Sequence, residues 1–209
     1  MPIGMRESLE SLLDRIAAST PTPGGGSVSA ICGALSAALS RMVANLAVGK
    51  QGYEAVQSDL GEIDVRGKAL QKRFLALAED DEKAYDGVVA AMHLPKASEA
   101  ERAARKEAMQ AAYKRATEVP LETIRAAVDA LALAMEAAEK GNRNAITDAG
   151  VAALLAQTAV RGGALNVGIN LAAIQDDAWR SAREDELKAL LHRGSALARA
   201  VDEFVTAAL

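Results

Sequence analysis

The sequence predicts an all-α protein, a single-domain bundle of long helices formed by residues 1–209. Half of the 209 residues are apolar, yet only 3% are aromatic. The apolar residues are mainly alanine, leucine and valine, which favours closely packed helices over a sheet sandwich rich in Val, Tyr and Thr. Apolar residues also recur at helical spacing along most of the chain. No repeat or linker divides it, so we expect one core.

The first two predicted helices flank a loop of prolines and glycines. The first helix ends at a Ser-Thr-Pro run, because a residue before proline is pushed out of the α region. The second begins with Ser27 as its N-cap and ends near Gly49. Their apolar residues at helical spacing are Leu9, Leu12, Leu13 and Ile16 in the first helix, and Val28, Ile31, Leu35 and Leu39 in the second.

Two long helices are predicted next. One runs from about residue 54 to residue 92, and Pro95 follows it as a stop signal. The other runs from residue 98 to residue 140 and ends at a glycine. Pro120 lies inside this second helix. Because proline removes a helical hydrogen bond, we expect a kink or a division there.

The last two predicted helices differ in polarity. The fifth, capped by Thr147 or Asp148, has almost no charge apart from Arg161, so it should lie at the centre of the bundle or in an interface. The sixth starts at Asp176 or Asp177 and continues to the C-terminus as an amphipathic helix. A thin bundle of this kind would leave much apolar surface in water, and we therefore expect a homodimer.

The charge and cysteine content argue against several classes of protein. The net charge is -4, and no cluster of Lys and Arg stands apart from acidic neighbours, so a nucleic-acid-binding surface is not expected. The single cysteine, Cys32, allows no internal disulfide and is typical of a reducing compartment. Charges near the N-terminus and breaks in the uncharged stretches argue against a signal peptide or a membrane span. We expect a cytoplasmic protein.

The loop "STPTPGGGSVSA", residues 19–30, is a candidate binding element. Glycines before a helix N-terminus let backbone N–H groups approach an anion or a carbonyl oxygen, and the helix dipole adds partial positive charge. The alternative is a tight connector in which the glycines only permit positive φ angles. The spacing fits neither a P-loop nor a dinucleotide-binding fingerprint.

The segment "EDDEKAYDGVVAAMHLPK", residues 79–96, contains a second candidate. Asp81, Tyr85 and Val88 share one helical face, which places a carboxylate and a phenol beside apolar neighbours. The alternative is a solvated acidic turn, and we assign Asp80 and Glu82 to such a turn.

Two asparagines of the fifth helix are the third candidate. Asn166 and Asn170 share a face of a nearly apolar segment, and a buried amide without a partner costs about 1–3 kcal/mol. They either pair across a dimer seam or line a polar pocket, with Asn142 and Asp148 entering it from the preceding loop.

The residues that are scarce also limit the chemistry. His93 and His192 lack the spacing of a metal site, and Cys32 has no partner that would make a Cys-His pair. We therefore expect no metal and predict water as the nucleophile. A substrate with an electrophilic, cationic carbon suits this set of residues, because a carboxylate, a lysine and amides can position water and stabilise charge.

Six segments in this order resemble the cyclodeaminase and methenyltetrahydrofolate cyclohydrolase family. They are "STPTPGGGSVSA", "VGKQGYE", "DDEKAYDGVVAAMHLPK", "VPL", "GNRNAITDAGVAALL" and "ALNVGINL", and the likeness covers nearly the whole chain. The resemblance implies a dimeric, cytoplasmic, all-α folate enzyme with no metal or prosthetic group and a tetrahydrofolate derivative as substrate.

The resemblance leaves two reactions open. A cyclohydrolase opens 5,10-methenyltetrahydrofolate with water to 10-formyltetrahydrofolate, whereas a cyclodeaminase closes 5-formiminotetrahydrofolate with release of ammonia. We favour the cyclohydrolase, because "VGKQGYE" and "GNRNAITDAGVA" resemble stand-alone bacterial cyclohydrolases. A further alternative is a folate-binding or helical interaction module without turnover.

The resemblance also implies roles for individual residues. Asp81 is the leading group for proton transfer or cation stabilisation, with Lys96 and Asp148 as further catalytic candidates. Lys50 would attract the pteroate carboxylate or the glutamate tail by charge. The substrate-binding residues implied are Pro23, Gly24, Gly25, Gly26, Ser27, Lys50 and Asn166, to which the argument from the fifth helix adds Asn142 and Asn170.

Overall fold

The computed structural model describes residues 8–209, and within this range every regular element is a helix, as predicted. Two 3₁₀ turns, Glu54–Val56 and Arg143–Ala145, precede the third and fifth α-helices. The α-helices are α1 (Leu9–Ala17), α2 (Gly25–Asn45), α3 (Gln57–Met92), α4 (Glu99–Lys140), α5 (Ile146–Leu171) and α6 (Asp177–Ala207).

Helices α2, α3, α4 and α5 pack around the core, and α6 covers α4 and α5. Small residues allow close contact between them. Phe74 of α3 is fully buried against Gly33 of α2, where an added Cβ would clash with the ring. Because the two helices approach this closely, the positions of side chains on α3 relative to the start of α2 are tightly defined.

Helix α4 is continuous through Pro120. Of the two predicted effects of this proline, the division is therefore wrong, and the kink stays a prediction. The N-terminus of α4 is stabilised by a capping box, in which the N-cap residue Ser98 and Glu101 bond to each other's backbone N–H groups. Pro120 is buried, and the carbonyl that its missing N–H would have served is that of Ala116. This carbonyl accepts a hydrogen bond from α5 instead.

Three predicted helix ends are wrong. Helix α2 has Gly24 as its N-cap and ends at Asn45, so Ser27 lies inside the first turn. The N-cap of α5 is Ala145, without a side-chain bond, because the 3₁₀ turn before it already directs the chain into the helix. Thr147 and Asp148 therefore lie within α5.

The predicted start of α6 is confirmed. The Asp176 side chain accepts a hydrogen bond from the backbone N–H of Trp179, which makes Asp176 the N-cap.

Helix α5 has one buried and one exposed apolar face. Its small residues are buried against the other helices, while Leu154, Leu165 and Ile169 are 60%, 77% and 74% exposed. The buried face agrees with the predicted place at the centre of the bundle, and the predicted alternative, an interface, stays a prediction for the exposed face.

Helix α2 is the one helix within residues 8–209 that is long and apolar enough to cross a membrane. In its most apolar window, 56% of the residues are buried inside the bundle. Such burial is typical of a core helix.

Candidate functional site

A cavity of about 450 Å³ lies where the start of α2 meets α3, α4 and the end of α5. All three candidate elements of the sequence contribute to its wall. The lining residues are Pro21, Thr22, Gly24, Gly25 and Gly26 from the loop and α2, Asp81, Ala84, Tyr85, Val88 and Met92 from α3, Tyr113 and Ala116 from α4, and Asn166, Ile169, Asn170 and Ala173 from the end of α5 and just beyond.

Asp81 is the acidic residue of this wall. The Ser27 hydroxyl donates a hydrogen bond of 3.0 Å to its Oδ2. Burial raises the pKa of the Asp81 carboxyl above its usual value, although the hydroxyl and backbone N–H of Ser27 oppose the shift by stabilising the anion. A carboxylate with a raised pKa, held in one orientation, is suited to accept and return a proton.

Gly26 allows Asp81 to approach the start of α2. A Cβ at this position would clash with all three atoms of the carboxylate group. The first-turn N–H groups of α2 have no partner within the helix, and that of Ser27 serves Asp81. The loop glycines thus bring the positive end of the helix dipole to the cavity.

The two asparagines use their side-chain nitrogens within the same chain. Asn166 Nδ2 donates to the Gly162 carbonyl at 2.9 Å. Asn170 Nδ2 donates to the carbonyls of Ala116 at 2.8 Å and Asn166 at 3.0 Å. The spacing argument placed both residues correctly on one face, and the structure turns that face into the cavity. Their amide oxygens accept no hydrogen bond from residues 8–209 and can therefore bind a polar ligand.

The rest of the wall is apolar or aromatic, and sequence reasoning missed part of it. Tyr85, on the predicted face of α3, is 41% exposed, and Tyr113 lies across the cavity on α4. Tyr113 was not a candidate because its neighbours in sequence carry no motif. The rarity of aromatic residues was the one signal available, since the chain has 3 tyrosines, 2 phenylalanines and 1 tryptophan.

Three of the predicted site residues lie far from this cavity. Asp148 is in the first turn of α5, about 27 Å along the helix from Asn166 at 1.5 Å per residue. Lys50 follows the far end of α2, whose last residue, Asn45, is about 30 Å from Gly25 by the same measure. Asn142 lies at that end too, where its Nδ2 donates to the Leu46 carbonyl. The prediction that Asn142 and Asp148 enter the pocket beside Asn166 is wrong within one chain, because α5 separates its two ends.

Three more predicted residues adjoin the cavity without lining it. Pro23, joined to Thr22 by a cis peptide bond, is buried under the loop. Ser27 is buried and acts on Asp81. Lys96 lies beyond the end of α3 and lines a neighbouring cavity.

The prediction that Glu82 belongs to a solvated acidic turn is wrong, because its side chain is buried. Arg15 of α1 donates to both of its carboxylate oxygens, at 3.3 and 3.1 Å. Burial raises the pKa of Glu82, and the charge of Arg15 opposes that rise. The pair holds α1 against α3 next to Asp81. Asp80, in contrast, pairs at the surface with Lys83 and Arg115.

The chemical groups of the cavity can be compared with those of a metal site. Among residues 8–209, no group of three or more His, Cys, Asp or Glu side chains is placed to hold a metal ion. The cavity instead combines one carboxyl with a raised pKa, free amide oxygens, helix N–H groups and aromatic walls. These groups can bind a flat polar ring and transfer a proton at its edge.

The chain is similar to known proteins over most of its length. A family model described as formiminotransferase-cyclodeaminase matches residues 8–189. The chain belongs to the formiminotransferase-cyclodeaminase family. The predicted family resemblance is thereby confirmed.

Relatives in the formiminotransferase-cyclodeaminase family carry two kinds of name. Methenyltetrahydrofolate cyclohydrolase of Methylorubrum extorquens is 43% identical over 199 residues, which cover 95% of this chain and 96% of the relative. Formimidoyltransferase-cyclodeaminase of Rattus norvegicus is 30% identical over 194 residues, which cover 93% of this chain but 36% of the relative. The crystal structure of formiminotetrahydrofolate cyclodeaminase from Thermotoga maritima matches with a TM-score of 0.87 and 32% identity, covering 97% of both chains.

Proposed function

We propose that this chain is a methenyltetrahydrofolate cyclohydrolase, which hydrolyses 5,10-methenyltetrahydrofolate to 10-formyltetrahydrofolate. The observation that carries the proposal is the 43% identity to the Methylorubrum extorquens cyclohydrolase across 95% of this chain and 96% of that one. The cavity fits the reaction, because its single carboxyl has a raised pKa and lies beside helix N–H groups.

The cavity offers places for each part of the substrate. The reduced pterin lies between the aromatic walls formed by Tyr85 and Tyr113, and its polar edge meets the amide oxygens of Asn166 and Asn170. The cationic carbon between N5 and N10 then faces Asp81. A carboxylate near this carbon stabilises its positive charge, and the low-polarity wall strengthens the attraction.

Asp81 carries out the proton transfers in this proposal. It accepts a proton from the water that adds to the cationic carbon, giving a hydroxylated adduct. It then returns this proton to N5 while the bond between N5 and the carbon breaks. The hydroxyl proton of the adduct leaves to solvent as the formyl C=O forms on N10. One water is consumed and one proton is released per turnover. Ser27 orients the Asp81 carboxylate through its 3.0 Å hydrogen bond.

Cyclodeaminase activity is the second candidate. It is favoured by the Thermotoga maritima structure, whose protein is named formiminotetrahydrofolate cyclodeaminase and matches 97% of this chain at 32% identity. The same carboxyl could protonate the departing ammonia during ring closure. The loss of methenyltetrahydrofolate absorbance, measured beside ammonia release from 5-formiminotetrahydrofolate, distinguishes the two reactions. Ammonia release at a rate above methenyl hydrolysis would contradict the cyclohydrolase assignment.

A binding module without turnover predicts a different result. Such a protein would bind reduced folates yet hydrolyse methenyltetrahydrofolate no faster than buffer does. It would also retain binding after the substitution of Asp81. Hydrolysis well above the buffer rate excludes this alternative.

The proposal includes a homodimer. The exposed apolar residues of α5, Leu154, Leu165 and Ile169, form a stripe that a second copy would cover, and Ile169 lines the cavity. Leu165→Glu should shift the mass measured by light scattering from dimer to monomer. Val65→Glu is the matched control, because Val65 is 69% exposed on α3. A Leu165→Glu protein that remains dimeric would show that this face is not the interface.

The remaining parts of the proposal concern location and partners. It assigns the enzyme to the cytoplasm, with folate as its small-molecule partner, no prosthetic group, and no nucleic-acid or membrane partner. The single cysteine and the net charge of -4 support these assignments.

A further inference from the structure

A second cavity, of about 310 Å³, lies beside one end of the first. Its wall contains four cationic side chains, those of Lys96, Arg102, Arg105 and Lys106, and no carboxylate. In a chain with a net charge of -4, such a concentration of positive charge is conspicuous. None of the four forms an ion pair with a carboxylate in residues 8–209, so the cations of this cavity are available to an anionic ligand.

Hydrogen bonds join the two cavities directly. Met92 lines the first cavity, and its carbonyl accepts hydrogen bonds from Arg105 Nε at 3.2 Å and Nη2 at 3.1 Å. Ala173 also lines the first cavity, and its carbonyl accepts a 2.9 Å hydrogen bond from Gln110 Nε2. Arg105 and Gln110 both line the basic cavity. The two cavities therefore adjoin at Met92 and Ala173.

The distance from Asp81 to Met92, where the two cavities adjoin, suits an elongated ligand. Asp81 and Met92 are 11 residues apart on α3, which corresponds to about 16 Å along the helix axis. In a reduced folate, the reacting carbon is separated from the glutamate carboxylates by the p-aminobenzoyl group. With that carbon at Asp81, the p-aminobenzoyl group lies beside Tyr85 and Val88. The glutamate carboxylates then extend toward Met92, where the long lysine side chains of the basic cavity can meet them.

The acidic residues around the basic cavity do not neutralise it. Glu99, Glu101 and Glu107 belong to the same helix, α4, but none of them lines the cavity. The Glu101 side chain is engaged with the backbone N–H of Ser98. Arg102 and Arg105 are held by backbone carbonyls, whereas the ammonium groups of Lys96 and Lys106 have no partner in residues 8–209. The arginines shape the cavity, and the lysines supply mobile charge.

We propose that this basic cavity binds the carboxylates of the glutamate tail of the folate, with Lys96 and Lys106 as the groups that contact them. The inference rests on the proposed function for the choice of ligand. It reassigns Lys96 from the catalytic role that the family resemblance implied to a binding role. It also transfers to this cavity the attraction for the tail that was expected of Lys50, which lies beyond the far end of α2.

The test compares substrates with and without the tail. The double variant Lys96→Gln/Lys106→Gln should raise KM for 5,10-methenyltetrahydrofolate about tenfold or more, because each charged contact to a carboxylate is worth about one decade in affinity. The kcat of the double variant should equal that of the wild type. Its KM for 5,10-methenyltetrahydropteroate, the substrate without glutamate, should also be unchanged. High salt should weaken binding of the glutamate form, which has two carboxylates, more than binding of the pteroate form, which has one. Lys72→Gln is the control, because Lys72 is an exposed lysine of α3 outside both cavities.

A binding measurement separates this inference from the proposed function. Calorimetry with 5-formyltetrahydrofolate and 5-formyltetrahydropteroate reports the contribution of the tail whether or not turnover occurs. Tighter binding of the glutamate form that is lost in the double variant supports the inference, even if the wild type hydrolyses neither methenyl substrate, a result that would overturn the proposed function alone. Equal binding of both compounds, or a fall in kcat with the pteroate substrate, would overturn the inference.

Discussion

The side-chain amide of Asn170 donates a 2.8 Å hydrogen bond to the backbone carbonyl of Ala116, the carbonyl that Pro120 leaves without its helical donor. Proline at position i removes the N–H that would serve the carbonyl at i−4. Here a side chain of α5 replaces that donor, which joins α4 and α5 in the wall of the cavity. Asn170 thereby positions the wall as well as facing the cavity.

A double-mutant cycle tests this relationship. Asn170→Ala should lower the free energy of unfolding by about 1–3 kcal/mol, because the Ala116 carbonyl then loses its partner. In a Pro120→Ala background the new N–H can serve the same carbonyl, so Asn170→Ala should cost less. Urea unfolding of all four proteins measures the difference. An equal loss in both backgrounds would show that the two residues act independently.

Asp81→Asn should abolish most catalysis without loss of folding. Removal of a general acid or base typically lowers kcat by about 10²–10⁴-fold, and Asn can still accept the hydrogen bond from Ser27. The wild-type rate should also fall toward acid with a pKa above the usual Asp value of 3.8, because burial raises the pKa of this carboxyl. Asp80→Asn is the control, since Asp80 lies on the surface outside the cavity. Unchanged turnover in a folded Asp81→Asn protein would remove Asp81 from the mechanism.

The same substitution has a predictable effect on stability. A carboxyl whose folded pKa is raised contributes most to stability below its unfolded pKa, and that contribution is lost as the pH rises through the folded value. Asp81→Asn should therefore gain stability relative to the wild type as the pH increases from about 4 to 7. Thermal unfolding across this range checks the sign. A difference that is constant with pH would contradict the raised pKa.

Gly26→Ala should disturb Asp81 through space. The added Cβ would clash with the carboxylate, so Asp81 must move away from Ser27 and kcat should fall about 10²-fold, as for a displaced catalytic group. Gly87→Ala is the matched control. An added Cβ there meets open space, and the change should stabilise α3 by about 0.5–1 kcal/mol. Wild-type kcat in Gly26→Ala would show that the contact does not orient Asp81.

Arg15→Gln should reduce stability in a pH-dependent way. It leaves the buried carboxylate of Glu82 without its cation, at a cost of about 1–3 kcal/mol near neutral pH. Burial raises the pKa of Glu82, so the carboxyl is neutralised as the pH falls, and the loss should shrink toward acid. Lys188→Gln breaks an exposed pair with Asp185 and should change stability by less than about 1 kcal/mol at any pH. Urea unfolding at two pH values compares both variants.

Spacing along the chain was sufficient to predict which residues share a helix face. The faces formed by Asp81 and Tyr85, and by Asn166 and Asn170, follow from the helical period, and both line the cavity. The six helices follow from the same period, with errors mainly at the caps. Ser27 illustrates such an error: its residue type suits an N-cap, but its hydroxyl is used by Asp81 in α3.

Only the tertiary structure determined which faces meet. Tyr113 and Ala116 carry no local signal, and they join the cavity because α4 packs against α3 and α5. Lys50, Asn142 and Asp148 resembled site residues in sequence order, but rigid helices of about 30 Å separate them from Asp81. The sequence by itself determined the helices, the family and the chemistry of one acidic face. Packing decided the rest, because the helical period sets the direction of a side chain but carries no information about the partner opposite it.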